Sequence, residues 1–378
     1  MVEATPNPTA SIYVCGITPY DATHLGHAAT YLAYDGLIRL WIDAGYPVRY
    51  IQNTTDVDDP LLERAAATGV DWRDLAAEQT DLFRGDMEAL GIIPPDEYVA
   101  VTEMIEPTAA AVKKLLDSGV GYRVDTDVYF DSAAAEASSP WTLGEESNLD
   151  RADMLTLSAE RGGDPDRAGK RDALDPLLWR GAREGEPSWP AEIGAGRPGW
   201  HIECAVIAQA HLDLPITVQG GGSDLIFPHH EFSAGHTAAI AGEKLASIYS
   251  HAGLVAYQGE KMSKSLGNLV LISKLTANGV DARAIRLAVL SQSYRETWEW
   301  TDDLLGSAEQ RLASWVAWAA TAVNGDTETD LLAEIRMTLA NDLDTPGAAH
   351  AIDRAIAAGV VPTSVDVAAV NALLGIAL

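Results

Sequence analysis

The chain has very few thiols. Cys15 and Cys204 are its only cysteines in 378 residues. Two cysteines in a chain of this length do not make the disulfide framework that is typical of small secreted proteins. The count therefore favours a reducing compartment, in which each thiol is either a small buried apolar group or a group with a chemical task such as metal binding.

Long apolar runs are missing as well. No stretch reaches the roughly 18 uncharged apolar residues that would span a membrane. The first residues, MVEATPNPTAS, have no basic start followed by an apolar core, so they are not typical of a secretion signal. We therefore expect a cytoplasmic protein with no membrane partner.

Basic residues are scarce. The chain has 26 Lys and Arg against 55 Asp and Glu, a formal net charge of −29. Residues 301–378 hold three arginines and no lysine against eleven acids. Such a charge opposes binding to a polyanion, and its simplest interpretation is solubility. This end of the chain is predicted to be a poor surface for RNA.

The residues that are present predict an α/β fold. SIYVCGIT at 11–18 is typical of a strand, residues 24–44 place apolar side chains at helical spacing up to Gly45, and PVRYIQNTT follows as a second strand. A strand, a helix and another strand form a βαβ unit, the building block of a parallel sheet.

Strand-like segments become irregular after this unit and resume at PITVQGGGSD and HAGLVAYQGEKMSKS. This pattern indicates a sheet that is split by an insertion, followed by amphipathic helices. We predict a split Rossmann-like domain over residues 1–98 and 186–262, a connective insertion over 99–185, a further region over 263–300, and a helical bundle over 301–378.

His24, Leu25, Gly26 and His27 lie where the first strand passes into the first helix. The free N–H groups of a helix N-terminus favour a phosphate, and Gly26 lets a nucleotide approach the backbone. Both imidazoles could donate to a triphosphate. The simpler alternative, taken from these four residues alone, is that the histidines only cap the helix.

Lys261-Met262-Ser263-Lys264-Ser265 follows a strand that ends near Tyr257 and a turn at Gln258-Gly259. Two lysines three residues apart, beside small hydroxyls, can bind a pyrophosphate as its charge develops in the transition state. A solvated basic loop is the alternative, although lysines are rare in so acidic a chain.

These two sequences together resemble the HIGH and KMSKS signatures of the class I aminoacyl-tRNA synthetases. The resemblance narrows to the cysteinyl-tRNA synthetases and their relatives through YVCG, NTTDVDD, GRPGWHIEC, GGGSDLIFPHHE and KMSKSLGN, and it extends over roughly residues 11–300. It implies catalytic roles for His24, His27, Lys261 and Lys264, and nucleotide contacts from Gly26, Ser263 and Ser265.

The same resemblance implies a zinc ion bound by Cys15, Cys204 and His229. One heavy atom's difference in a pocket gives only about 1–3 kcal/mol of discrimination. A zinc ion with an open position does better, because thiolate is a ligand that the hydroxyl of serine cannot imitate. Without the family, each cysteine could be a small buried apolar group, and His230 is an obvious competitor of His229.

Further positions match the family near its amino-acid substrate. Thr18 and Thr55 match residues beside the amino acid, Trp200 matches a tryptophan that packs beside bound cysteine, and Asp224 matches the turn that faces the aminoacyl group. Trp200 could equally be a core residue that does not contact the substrate.

Gly220, Gly221 and Gly222 are predicted to form a loop for close approach of ribose or adenine, with a flexible turn as the alternative.

Several departures separate the chain from the synthetases. Ser233 stands where a glutamate usually supplies a fourth zinc-site group, Pro60 replaces a typical lysine, and an acidic helical bundle stands in place of an anticodon-reading domain. A serine is a poor zinc ligand, so three protein ligands would leave the fourth position to the incoming thiol.

These departures make the chain similar to the cysteine ligases of mycothiol biosynthesis. That family implies a monomeric enzyme that uses ATP, with Mg²⁺, to activate L-cysteine and joins it to the amine of glucosaminyl-inositol, with no tRNA. Asp224 and His230 are candidates for a base that deprotonates the amine. Two alternatives remain: a truncated cysteinyl-tRNA synthetase, and a non-catalytic synthetase-like protein that binds cysteine or zinc.

Overall fold

The computed structural model describes residues 9–21, 23–262 and 267–378. The strands in these ranges are β1 (Ala10–Ile17), β2 (Val48–Thr54), β3 (Glu97–Ala100), β4 (Gly121–Val124), β5 (Asp127–Phe130), β6 (Leu177–Gly181), β7 (Gly196–Pro198), β8 (Ile216–Gly222), β9 (Ala246–Ala252), β10 (Val255–Tyr257), β11 (Glu260–Lys261) and β12 (Trp298–Glu299).

The α-helices in the same ranges are α1 (Leu25–Asp43), α2 (Asp59–Thr68), α3 (Trp72–Ala89), α4 (Ile105–Asp117), α5 (Ser132–Ser138), α6 (Arg151–Glu160), α7 (Trp200–His211), α8 (Glu231–Ala241), α9 (Ile272–Ala277), α10 (Ala282–Leu290), α11 (Asp302–Ala319), α12 (Asp330–Ala340), α13 (Thr345–Ala357) and α14 (Ser364–Leu374). None of the helices in the described residues is long and apolar enough to cross a membrane.

The central sheet has the strand order β3-β2-β1-β8-β9, and each neighbouring pair is parallel. Val14 of β1 lies opposite Gln52 of β2 on one side and Gly220 of β8 on the other. The predicted α/β class is confirmed, and so is the interruption of the sheet between its third and fourth strands along the chain. Because the strands run in one direction, their carboxyl ends meet at one edge, where ligands of such folds bind.

The two faces of β1 contribute to two different cores. Ile12 and Val14 pack in the core that includes α1 and the C-terminal helices, whereas Tyr13 and Cys15 pack in the core that includes α7, α8 and the inserted region. This division follows from the alternation of side chains along a strand. It places the Cys15 thiol on the side of the inserted region.

Two smaller sheets accompany the central one in the described residues. The antiparallel order β4-β5-β6-β7 occupies the region between β3 and α7, and β10 pairs with both β11 and β12. The turn between β10 and β11 contains Gln258 and Gly259 at positive φ (58° and 79°). The predicted strand end at Tyr257 and the turn after it are therefore confirmed.

The C-terminal helices α11 to α14 pack on one another and on α1. Trp315 of α11 is fully buried among them. The predicted helical end of the chain is confirmed. Helix α14 begins with a capping box, in which the side chains of Thr363 and Asp366 each accept from the other's backbone N–H.

Candidate active site

Three predicted metal ligands meet near the carboxyl end of β1. Cys15 of β1, Cys204 of α7 and His229 of the turn before α8 are all buried, and their ligand atoms lie within 4.8 Å of one another. The two sulfur atoms are 3.9 Å apart, and Nε2 of His229 is 3.2 Å from the Cys204 Sγ. Two thiols and an imidazole form a donor set for a borderline or soft metal.

The two thiols differ in acidity. Burial by itself would raise the pKa of Cys204, but its hydrogen bond with Cys15, together with the charge and hydrogen bond of His229, brings that pKa well below its usual value. Burial, followed by the bond to Cys204, raises the pKa of Cys15 well above its usual value. The hydrogen bond between the two thiols thus favours the ionised form of Cys204 and the protonated form of Cys15.

His229 and its neighbour His230 take different positions. Nδ1 of His229 is 3.1 Å from Nδ1 of His201, so its two ring nitrogens face Cys204 and His201. Nε2 of His230 lies 3.3 Å from the Cys15 Sγ, and its Nδ1 lies 2.7 Å from Nε2 of His251. Burial lowers the pKa of His230 well below its usual value. His230 thus lies next to the three-ligand cluster and outside it.

Polar residues that were not predicted from the sequence contact the cluster. Gln219 of β8 donates from Nε2 to the Cys15 Sγ at 3.3 Å, and His201 and His251 bond the two neighbouring histidines. Such partners commonly orient metal ligands. The sequence offers one indication of this role. Gln219 stands in the apolar strand ITVQ, and a polar side chain that is buried in a strand needs a hydrogen-bond partner.

Ser233 does not face the cluster as a ligand. Its hydroxyl is fully buried on α8 and lies 2.7 Å from the His229 carbonyl and 3.1 Å from the His201 carbonyl, to which it can donate. The hydroxyl is therefore occupied by backbone carbonyls. This agrees with the expectation of three protein ligands.

The histidines of the HLGH sequence cap α1. Nδ1 of His24 accepts from the Gly26 N–H at 3.1 Å, and the His24 N–H lies 3.5 Å from Nδ1 of His27, which completes a capping box. The two ring centroids are 3.9 Å apart. The two histidines therefore do cap the helix, as the simpler alternative proposed. Their imidazoles also lie at the helix N-terminus, where they were predicted to bind phosphate.

The N-terminus of α1 also meets the segment that follows the KMSKS sequence. Leu25 donates its N–H to the Val270 carbonyl at 2.9 Å, and His24 pairs with Leu271 in an isolated β-bridge. Of the predicted loop residues, Ser263, Lys264 and Ser265 lie outside the described residues, and Lys261 is described only by its backbone in β11.

Helix α1 is tied to the thiol cluster from its other side. The hydroxyl of Tyr31, one turn after His27, donates to the Cys15 carbonyl at 3.2 Å. The helix that presents the two histidines therefore also contacts the backbone of a predicted metal ligand.

The predicted substrate residues lie at the carboxyl ends of β1, β2 and β8 and at the start of α7. Trp200 begins α7, is partly exposed, and places its ring 4.4 Å from the ring centroid of His229. Thr18 follows β1 and is partly exposed, whereas Thr55 is buried and accepts from Nδ2 of Asn53 at 3.0 Å. Asp224 lies in a 3₁₀ turn directly after β8.

The prediction of a glycine loop at 220–222 is wrong. Gly220, Gly221 and Gly222 are the last residues of strand β8. A Cβ on Gly220 would lie 2.6 Å from the ring of Tyr34, and one on Gly221 would lie 3.0 Å from the ring of His230. At these two positions the absent side chains make room for other side chains of the protein.

The chain matches a protein family and is similar to named relatives from other bacteria. The family described as tRNA synthetases class I (C) catalytic domain matches residues 1–310. A protein of Clavibacter michiganensis named L-cysteine:1D-myo-inositol 2-amino-2-deoxy-alpha-D-glucopyranoside ligase is 63% identical over 389 aligned residues, which cover 100% of this chain and 91% of the relative. Proteins of the same name from Arthrobacter sp. (strain FB24) and Mycobacterium sp. (strain KMS) are 57% and 55% identical, covering 97% and 98% of this chain and 91% of each relative.

Solved structures with the same fold are more distant in sequence. Mycobacterium tuberculosis methionyl-tRNA synthetase in complex with methionyl-adenylate superposes with a TM-score of 0.64 at 18% identity, covering 92% of this chain and 81% of that one. Agrobacterium radiobacter leucyl-tRNA synthetase, in a ternary complex, gives 0.63 at 13% identity, with coverages of 98% and 83%. At these identities the likeness supports the fold alone.

Proposed function

Because the chain belongs to the class I tRNA synthetase (C) catalytic-domain family, among the L-cysteine:1D-myo-inositol 2-amino-2-deoxy-alpha-D-glucopyranoside ligases, we propose that it joins L-cysteine to the amine of glucosaminyl-inositol in mycothiol biosynthesis. The chain is an ATP-dependent, amide-forming ligase. We propose further that it takes ATP with Mg²⁺, works as a monomer and uses no tRNA.

The reaction has two steps. A carboxylate oxygen of cysteine attacks the α-phosphorus of ATP, which gives cysteinyl adenylate and releases diphosphate. The deprotonated amine of glucosaminyl-inositol then attacks the cysteinyl carbonyl carbon, the bond from that carbon to the phosphate oxygen breaks, and AMP leaves. The amine proton passes to a base, for which Asp224 and His230 are the candidates.

Selection of cysteine is assigned to the three-ligand cluster. Cys15, Cys204 and His229 fit a Zn²⁺ ion in the chemistry of their donors and in their mutual distances within 4.8 Å. When bound there, zinc would hold the substrate's sulfur at its fourth position and favour loss of the thiol proton. Ser233, whose hydroxyl faces backbone carbonyls, leaves that position open.

The nucleotide is assigned to the N-terminus of α1. His24 and His27 lie at this helix end, where free N–H groups and the helix dipole favour the ATP phosphates. Lys261 and Lys264 are proposed to bind the diphosphate as it leaves, with Ser263 and Ser265 beside them. These assignments for the KMSKS residues rest on the sequence.

The remaining contacts are assigned to residues around the cluster. Trp200, whose ring lies 4.4 Å from that of His229, is proposed to cover the bound cysteine, with Thr18 and Thr55 at its other side. Asp224 is proposed to face the aminoacyl group. Because Tyr34 and His230 fill the space beside Gly220 and Gly221, we assign nucleotide contact in this glycine sequence to the backbone of Gly222.

The observation that carries the proposal is the meeting of Cys15, Cys204 and His229 beside α1, whose Tyr31 hydroxyl bonds the Cys15 carbonyl. This arrangement supports a site in which one end of cysteinyl adenylate contacts the metal cluster and the other contacts the N-terminus of α1.

Two assays test the proposal on the metal-replete protein. ATP–diphosphate exchange should depend on cysteine and not on serine. AMP release should then follow addition of glucosaminyl-inositol and not of tRNA. Exchange with cysteine but AMP release only with tRNA would identify a cysteinyl-tRNA synthetase, and absence of any exchange would favour a non-catalytic protein.

A further inference from the structure

The residues from the end of β8 to the first residue of α8 carry two of the proposed functional groups, and those before Glu231 form no regular strand or α-helix. In this stretch, called the site turn (residues 223–231), Asp224 lies in a 3₁₀ turn and His229 in a π-helical turn, which is interrupted by extended backbone at Phe227 (φ −140°, ψ 138°). Backbone groups in such a stretch need partners outside the usual ladders. The positions of Asp224 and His229 therefore depend on what holds the site turn.

Arg161, from the inserted region, holds two carbonyls of the site turn. Its Nη1 donates to the Asp224 carbonyl at 2.6 Å and also to the Phe227 carbonyl. Among the described residues Arg161 forms no ion pair with a carboxylate. Its planar guanidinium is thus committed to the backbone on both sides of Leu225 and Ile226.

The sequence around Arg161 fixes where its side chain starts. Helix α6 ends at Glu160, Gly162 has a positive φ of 84°, and the Gly163 N–H donates to the Ser158 carbonyl at 2.8 Å. A side chain on Gly163 would collide with Ser158. The two glycines therefore end the helix directly after Arg161 and turn the chain away, a usual helix C-terminal arrangement.

A second anchor from the inserted region holds the other end of the site turn. Glu231 is completely buried, and its carboxylate accepts from Trp141 Nε1 at 3.0 Å, from the Gly144 N–H at 2.9 Å and from the Ser147 N–H at 2.8 Å. Three donors on one buried carboxyl group satisfy it and hold it in one orientation. The segment that contains His229 is thus fixed by the inserted region on both sides.

We infer that two parts of the inserted region, residues 141–147 and Arg161, brace the site turn, and that Arg161 is a positioning residue for both Asp224 and His229. The brace sets the direction of the imidazole toward Cys204 and the direction of the Asp224 carboxylate toward the aminoacyl group. This inference rests on the proposed function for the roles of those two residues, and it gives the inserted region a task in the reaction.

The test compares Arg161→Ala, Arg161→Lys and the matched control Arg151→Ala in the metal-replete full chain. Arg151 lies on the same helix, is about half exposed (55%) and pairs with Asp172 at 2.7 Å, away from the site turn. Three readouts are taken: metal affinity by chelator competition, the absorption spectrum of the cobalt-substituted protein, and kcat and KM for cysteine in ATP–diphosphate exchange.

We expect Arg161→Ala to weaken metal binding by about tenfold or more, as is typical when partners of metal ligands are lost. Its cobalt spectrum should change, kcat should fall, and added guanidinium should restore part of both. Arg161→Lys should lie between the wild type and Arg161→Ala, and Arg151→Ala should match the wild type. If Arg161→Ala does not fold, the same assays on Arg161→Lys test the brace: intermediate metal affinity and kcat support it, and wild-type values contradict it.

A folded Arg161→Ala protein with unchanged metal affinity, cobalt spectrum and kcat would overturn the brace. This outcome differs from failure of the proposed function, in which the wild type itself shows no cysteine-dependent exchange. In that case, chelator competition and the cobalt spectrum would still decide whether Arg161 positions His229.

Discussion

The ring of Tyr34 occupies the space that a side chain on Gly220 would need. A Cβ on Gly220 would lie 2.6 Å from Cζ of Tyr34, and the Tyr34 hydroxyl accepts from the Gly221 N–H at 2.8 Å and lies 2.6 Å from the Ser250 carbonyl. The tyrosine of α1 thereby joins the carboxyl ends of β8 and β9. This contact holds α1, which carries His24 and His27, against the edge of the sheet where the site lies.

Gly220→Ala should therefore destabilise the fold. The added methyl group would overlap a buried ring that cannot move without breaking its hydrogen bonds, and overpacking of this kind costs about 1–3 kcal/mol. Urea unfolding measures the change in the free energy of unfolding. Gly36→Ala is the matched control on α1, because nothing lies within 4 Å of a Cβ at Gly36, and alanine favours a helix by about 0.5–1 kcal/mol over glycine. Equal stabilities for the two variants would contradict the assigned contact.

Cys204→Ala should lose the bound metal and adenylate formation together. Cys204 lies between Cys15 and His229 and contacts both, so its removal leaves only two donors. Metal analysis and cysteine-dependent diphosphate exchange measure the two losses. Ser233→Ala is the control, since its hydroxyl faces two carbonyls, and it should keep one metal ion. Retention of one equivalent of metal by Cys204→Ala would show that the ligand assignment is wrong.

The sequence predicted much of the local structure. The residues SIYVCGIT, the HLGH helix and PVRYIQNTT form β1, α1 and β2 with bounds within one or two residues, because apolar periodicity and turn residues are local signals. The same local rules could not assign Gly220. A glycine that admits a ligand and one that admits a tyrosine from another helix have the same appearance in a sequence.

The candidate site was predictable only where side chains themselves carry the chemistry. Cys15, Cys204 and His229 belong to motifs that can be recognised, and the structure brings these residues together. Arg161 was missed for a different reason. Arg161 bonds backbone carbonyls, which every residue possesses, so the amino-acid types of its partners do not indicate the contact.

A buried ion pair links α1 to the C-terminal helices. Asp35 of α1 and Arg286 of α10 are almost completely buried and directly bonded, and Arg286 also donates to the Leu374 carbonyl at 2.6 Å. Asp35→Asn should cost about 3–5 kcal/mol of unfolding free energy, because it leaves a buried guanidinium without its charge partner. Glu334→Gln removes the partner of the exposed Arg354 and should cost less than about 1 kcal/mol. Similar losses in both variants, measured by urea unfolding, would contradict this.

Asp86 should make the stability of the protein depend on pH. It is buried in α3, its Oδ2 has no hydrogen-bond partner among the described residues, and burial raises its pKa to about 6. Because the carboxyl ionises near pH 4 in the unfolded chain, unfolding releases a proton between about pH 4 and 6, and the folded state loses stability as the pH rises through that range. Asp86→Asn should therefore have a free energy of unfolding about 1–3 kcal/mol higher than the wild type at pH 7. This difference between the two proteins, the stability gap, should disappear by pH 4. A gap that is the same at both pH values in urea unfolding would mean that the Asp86 carboxyl is not destabilised by its burial.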